Sequence, residues 1–162
     1  MAWTEIETQT LTTTAASVVF STGLTGYKFF RLTGYWVSDA SAGAVDIRLN
    51  NDSGANYAYQ RIQAASTTVS GSRATGQTAQ RLTPAFPDGS SFNSFSALIA
   101  KPAAGVKAQA TAHVGFTQTS VAMELEGAEW NNTADLITRI DVIALSNNFA
   151  AGTSILLEGL SF

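Results

Sequence analysis

The sequence predicts an all-β protein, an antiparallel β-sandwich of the jelly-roll or Greek-key kind. Polar and apolar residues alternate with a period of two in several stretches, most cleanly from Val106 to Thr119. Clusters of Gly, Asn, Asp and Pro separate these stretches at turn spacing. No segment sustains the apolar period of an amphipathic helix over three turns. About nine or ten strands are expected on this pattern, with a closed barrel as the alternative.

The elements follow in order. Trp3 to Leu11 alternates weakly, and Ala16 to Phe20 is a short apolar strand ended by the turn from Ser21 to Gly26. Tyr27 to Val37 is aromatic and β-branched on both faces, which predicts a central strand covered on both sides. After a loop from Asp39 to Ala44, Val45, Ile47 and Leu49 share one strand face and Asp46 and Arg48 the other. Asn50 to Asn56 is dense turn chemistry, and Tyr57 to Ile62 resumes a strand, so the pair reads as a hairpin. Gln63 to Gln80 is polar, small and without period, which predicts a long loop or an irregular edge. Leu82 to Ser91, with Pro84, Pro87 and Asp88-Gly89, reads as a turn-rich connection.

Phe92 to Ala100 is a strand with Asn93, Phe95, Ala97 and Ile99 on one side. In the long strand from Val106, small alanines at 108, 110 and 112 allow close packing of layers. Ala122 to Trp130, Leu136 to Ser146 and Ser154 to Phe162 complete the strands.

Bulk properties bound the rest. A chain of 162 residues fits one domain, 1–162, and folding at this size buries roughly 70% of the unfolded chain's surface without a staple. Charged residues make up 13% of the chain, about half the usual share. That points to a surface covered by other subunits or a larger particle, or to one where Ser, Thr, Asn and Gln replace charge. The net charge of −3 and the absence of any Lys/Arg run argue against phosphate-neutralising nucleic-acid binding. No apolar run is long enough for a membrane helix. The start, Met1-Ala2-Trp3-Thr4-Glu5, lacks signal-peptide regions, so synthesis in a cytoplasm is expected, and the lack of cysteine is in keeping with it.

Catalytic and metal-binding equipment is sparse. The single histidine, His113, lies on the polar side of its strand; a ligand or base role is weighed against an ordinary interface histidine. Glu124, Glu126, Glu129 and Asp135 form the one acidic cluster. Glu124 and Glu126 share a strand face, about 7 Å apart at the backbone. A glycosidase-like pair or calcium is one reading and a solvated strand face the preferred one. Asn50-Asn51-Asp52-Ser53-Gly54 has only one charged member, so an Asx turn is favoured over a calcium loop. Tyr35, Trp36, Tyr57, Tyr59 and Trp130 either line a sugar-binding surface or belong to the core. The expectation is a non-enzyme with no catalytic, cofactor or metal residues. Its candidate surface or ligand contacts are Tyr57, Tyr59, Trp130 and His113.

Three segments together carry a family resemblance. They are Trp3 with Val18-Val19-Phe20 and Tyr27 to Leu32; Leu49 to Gln60 (LNNDSGANYAYQ); and Trp130, Thr133-Ala134, Ile137 and Ile140 with Asn148 to Gly159 (NFAAGTSILLEG). In these the chain resembles small virion structural proteins of tailed bacteriophages, both head decoration and tail accessory β-sandwich proteins. The match covers both ends and the second quarter of the chain. Such proteins often end in Leu-Tyr-Gly where this one has Leu157-Glu158-Gly159. The resemblance implies a non-enzymatic particle component, made in a bacterial host cytoplasm and located in the virion. Its implied partners are the major capsid protein or tail proteins and further copies of itself, with a trimer favoured, and no nucleic acid or membrane. With no coiled coil or stalk in the sequence, docking directly as a capsid decoration protein is expected. A tail-associated receptor- or carbohydrate-binding module, engaging a host glycan, is the alternative.

Overall fold

The computed structural model describes residues 2–40, 43–65, 67–86, 93–117 and 121–161; for 43, 83–86, 113–117 and 121 it describes the backbone alone. The described residues form twelve strands and no helix: β1 (Thr4–Thr10), β2 (Ser17–Phe20), β3 (Phe29–Trp36), β4 (Gly43–Leu49), β5 (Tyr57–Ala65), β6 (Thr68–Gln77), β7 (Gln80–Phe86), β8 (Asn93–Ala100), β9 (Ala108–Thr117), β10 (Val121–Trp130), β11 (Ile140–Leu145) and β12 (Ser154–Leu160). They make an antiparallel β-sandwich. The larger sheet has eight strands in the order β1-β12-β3-β8-β9-β10-β5-β6, and the smaller has four, β2-β11-β4-β7.

The core lies between the layers. Phe20, Ile47, Ile140 and Val142 of the smaller sheet meet Leu32, Ala97, Ile99, Ala112 and Ile155 of the larger, each fully buried. Strict alternation produces this. In β8 the two sides separate as the alternation predicts: Asn93, Phe95, Ala97 and Ile99 face inward, while Ser94, Ser96 and Leu98 are exposed. The alanine side of β9 faces inward through Ala108, Ala110 and Ala112. The expected places of Val114 and Phe116 lie outside the described side chains.

Three expectations are corrected, and a fourth is resolved between its alternatives. The described residues of 63–80 form an edge rather than a long loop: β5 runs to Ala65 and pairs with β6. β6 lacks a period because it is the terminal strand of its sheet and nearly all its residues are exposed. With neither face buried, nothing selects for alternation. β4 and β5 are not a hairpin: β4 pairs with β11 and β7, whereas β5 pairs with β10 and β6. The Asn50–Asn56 loop therefore carries the chain from one sheet to the other, turning through positive φ at Asn50 (53°) and Asn51 (54°).

β3 is central, between β12 and β8, but only one face is covered; Phe29, Arg31 and Thr33 are half-buried and Tyr35 is exposed. A two-layer sandwich leaves the outer face of each sheet to solvent. Finally, Leu82 belongs to β7 rather than to a connection, while Pro87 and Asp88-Gly89 lie outside the described residues.

Candidate functional site

Three features result from this arrangement: a locked loop end, a buried charged cluster and an open outer sheet face.

The loop end brings together two of the four predicted contact residues, Tyr57 and Trp130. Asp52 accepts from the Gly54 backbone N–H at 2.8 Å, from the Asn56 amide at 2.9 Å and from the Trp130 indole N–H at 2.7 Å. These donors hold its carboxyl below the ordinary carboxylate range against the opposing effect of burial. Tyr57 stacks on Trp130 with ring centroids 6.4 Å apart, and its hydroxyl accepts from the Leu49 N–H at 2.9 Å and donates to the Leu49 carbonyl at 3.2 Å. Lys101, 2% exposed, donates from Nζ to the carbonyls of Val106 and Asn132 at 2.7 and 2.9 Å and lies 5.3 Å from the Trp130 ring. The Asn50 side chain accepts from the Thr138 and Arg139 N–H groups and donates to the Leu136 carbonyl.

Tyr57 and Trp130 are each 1% exposed. They are corrected from surface contacts to core residues, because indole and phenol bury a large apolar body once their polar tips find partners. Tyr59 is half-buried under the Arg61 guanidinium, 5.7 Å from its ring centre. His113 sits in β9 at the register position opposite Ser96 and Leu125; its side chain lies outside the described residues.

The acidic residues separate. Glu129 pairs with Lys107 at 3.2 Å on the outer side of the sheet, and Asp135 accepts from Asn132 in a loop. Glu124 and Glu126 point inward and are each 1% exposed, which corrects the solvated face expected for them. Parity decides this: Ala122, Glu124, Glu126 and Trp130 share the buried face of β10, and the apolar Met123 and Leu125 are left outside.

Arg61 approaches Glu124 at 3.6 Å, and Arg81 approaches Asp46 at 2.6 Å. Among the described residues, every buried side-chain polar atom without an aligned hydrogen bond belongs to six residues: Asp46, Arg61, Gln80, Arg81, Glu124 and Glu126. Burial pushes Glu126 up to about 8, with the Glu124 charge adding to it. Burial likewise pushes Glu124 up to about 7 and Asp46 up to about 6, against the pull of Arg61 and Arg81 respectively. The described His, Cys, Asp and Glu residues include no cluster arranged to hold a metal ion.

The third feature is the outer face of the eight-stranded sheet. Its exposed apolar side chains concentrate toward the β6 edge: Ile62 (55% exposed), Val69 (70%), Met123 (57%) and Leu125 (42%). Register makes them neighbours, since Ala64 pairs with both Val69 and Met123, and Ile62 pairs with Leu125. Beside this patch runs an open trough of about 570 Å³, lined by Gln60, Arg73, Leu98, Gln109, Thr111 and Glu129 and floored at Gly127. A Cβ on Gly127 would meet nothing within 4 Å.

No protein-family model, curated protein or solved structure matches the chain.

The Leu49–Gln60 and Asn148–Gly159 segments acquire physical roles within this frame. The Leu49–Gln60 segment is the sheet crossover with its Asp52 knot. At the closing Leu157-Glu158-Gly159, Glu158 accepts two hydrogen bonds from Arg31, at 2.6 and 2.8 Å, which lowers its carboxyl pKa. Gly159 leaves room for the Tyr27 ring, which any Cβ there would strike.

Proposed function

We propose that this chain is a non-enzymatic structural protein of a bacteriophage virion, a capsid decoration protein that docks on the particle surface as a homo-oligomer. One observation carries the reading: a rigid sandwich leaves Ile62, Val69, Leu125 and Met123 contiguous and open on one sheet face. A contiguous exposed apolar patch on a weakly charged protein marks a surface that a partner covers. The virion is the partner implied by the Leu49–Gln60 and Asn148–Gly159 motifs. The loop end adds support, because a particle component outside cells benefits from termini and crossovers fixed by side-chain locks rather than by cofactors.

Imaging of purified particles tests it. Copies on the head are the expected result, and heads free of the protein reject this version.

The trough favours a second reading, a tail-associated receptor- or carbohydrate-binding module. Gln60, Arg73, Gln109 and Thr111 present amide, guanidinium and hydroxyl groups over a glycine floor, a set able to hydrogen-bond the hydroxyls of a host glycan. Binding of the isolated protein to host envelope glycans supports this reading, and no binding across host envelopes rejects it.

A further inference from the structure

Among the described residues β1 and β6 are the two edges of the larger sheet, and these edges are matched. Starting at β1, paired residues run straight across it: Glu5 with Glu158, then Arg31, Leu98, Thr111, Gly127, Gln60 and finally Arg73 on β6. One rung therefore begins at an acid on one edge and ends at a base on the other. Arg31 and Glu158 bond to each other on the trough side of the sheet, so the rung's side chains share the outer face.

The edges differ in charge along their whole lengths. β1 (TEIETQT) carries two acids and no base, whereas β6 (TVSGSRATGQ) carries one base and no acid. β6 has no proline or lysine, runs for ten residues and stays almost wholly exposed; its one register shift lies past Ala74, so Thr68 to Ala74, Arg73 among them, pair regularly. The edges of the smaller sheet offer less, since β2 has four residues and β7 pairs with β4 through two register shifts.

We propose that copies of this chain join head-to-tail through these edges, β6 of one protomer pairing antiparallel with β1 of the next, with Arg73 beside the neighbour's Glu5. Strand direction allows it. Every pairing across the sheet is antiparallel, so β1 and β6 of an eight-stranded sheet run in opposite senses. A second copy in the same orientation then continues the alternation without inversion, and its outer face continues the first one's. The outward backbone groups of each edge strand find partners, and the charges meet at the rung of Glu5, just before the one register shift of β1, between Glu5 and Glu7. Such a heterologous contact closes into a ring when the rotation between copies permits, and extends as a fibre when it does not. The inference rests on the homo-oligomer part of the proposed function and supplies its contact.

Sedimentation of the purified full chain tests it. The wild type self-associates; Arg73→Glu and Glu5→Lys, both at exposed sites, each weaken association by about ten-fold or more, and the double variant recovers it. Circular dichroism confirms that each variant stays folded. Because the chain has no cysteine, a second measurement is clean. The Glu5→Cys/Arg73→Cys double variant, oxidised, gives a ladder of covalent multimers, and neither single variant does.

A chain that stays monomeric, association unmoved by both charge reversals, or covalent dimers from Arg73→Cys alone would each overturn the head-to-tail contact. None of these outcomes bears on whether particles carry the protein, which imaging decides separately.

Discussion

Trp130 donates its indole N–H to Asp52 across 78 residues of chain, at 2.7 Å. The bond ties the end of β10 in the larger sheet to the loop by which β4 of the smaller sheet hands the chain over. Beside it, the Tyr57 hydroxyl clasps both backbone groups of Leu49. Trp130→Phe keeps a ring against Tyr57 and Lys101 but removes the donor. The expected loss is about 1–3 kcal/mol of unfolding free energy, because a charged acceptor loses a partner. Tyr57→Phe strands the Leu49 N–H and carries a similar cost. Urea denaturation measures both, and an unchanged midpoint for either variant contradicts the lock.

The buried acids set a pH dependence opposite to that of paired surface carboxylates. Glu126 rises from an ordinary 4.5 to about 8, Glu124 from 4.5 to about 7, and Asp46 from 3.8 to about 6. Between each ordinary and raised value the folded chain binds more protons than the unfolded one, so stability falls as pH rises through that window. Asp52 and Glu158 act the other way: their pKa values are lowered in the fold, so their contribution disappears as pH falls through the carboxylate range. Maximum thermal stability is therefore expected at about pH 4, beside the ordinary carboxylate values, with a decline from there toward pH 8. Glu126→Gln flattens that decline, raising the melting temperature at pH 8 by several degrees, about 2–4 °C for each kcal/mol recovered. A wild type most stable above pH 8, or a variant that melts lower there, rejects this account.

Much of the layer plan was legible in the residues. β8 and β9 could be read because each has one buried and one exposed face, so burial itself writes the period into the chain. β6 could not, because an edge strand exposed on both sides leaves no such record. The hairpin expected around Asn50–Asn56 failed for a different reason. Asn50 and Asn51 at positive φ make a sharp turn, but the destination sheet depends on contacts made far away, by Trp130 and Leu136. Glu124 and Glu126 misled because polarity suggests solvent. In β10 the large Trp130 anchors the inward parity, and the two carboxylates follow it into the interior opposite Arg61 and Gln80. Tyr57 and Trp130 were visible as a pair worth singling out; that both turn inward follows from the same parity.

Gly159 tests the closing motif. Its backbone lies against the Tyr27 ring, and no Cβ fits without moving that ring. Tyr27 in turn packs edge-on to the buried Phe30 at 6.3 Å. Gly159→Ala should therefore cost about 1–3 kcal/mol through overpacking. Gly127→Ala on β10, with open space around it, should stay within about 0.5 kcal/mol. Equal effects at the two glycines would mean that backbone entropy, not the tyrosine, decides.

The outer face offers the sharpest separation of stability from docking. Met123 and Leu125 protrude from the side of β10 opposite the core, next to Ile62 across the ladder. Replacing both with Lys removes apolar surface that the fold does not bury, so chemical denaturation should shift by no more than about 0.5 kcal/mol. Docking is a different matter. Each lysine must be desolvated in a covered patch, and binding to particles lacking the protein should weaken by a hundred-fold or more, about 2.7 kcal/mol. Lysine at Thr111 and Gln109, in the trough rather than the patch, should leave particle binding nearly unchanged while abolishing any glycan affinity. If the trough variants release the protein from particles and the patch variants do not, the two surfaces have exchanged roles and the apolar strip is not the docking face.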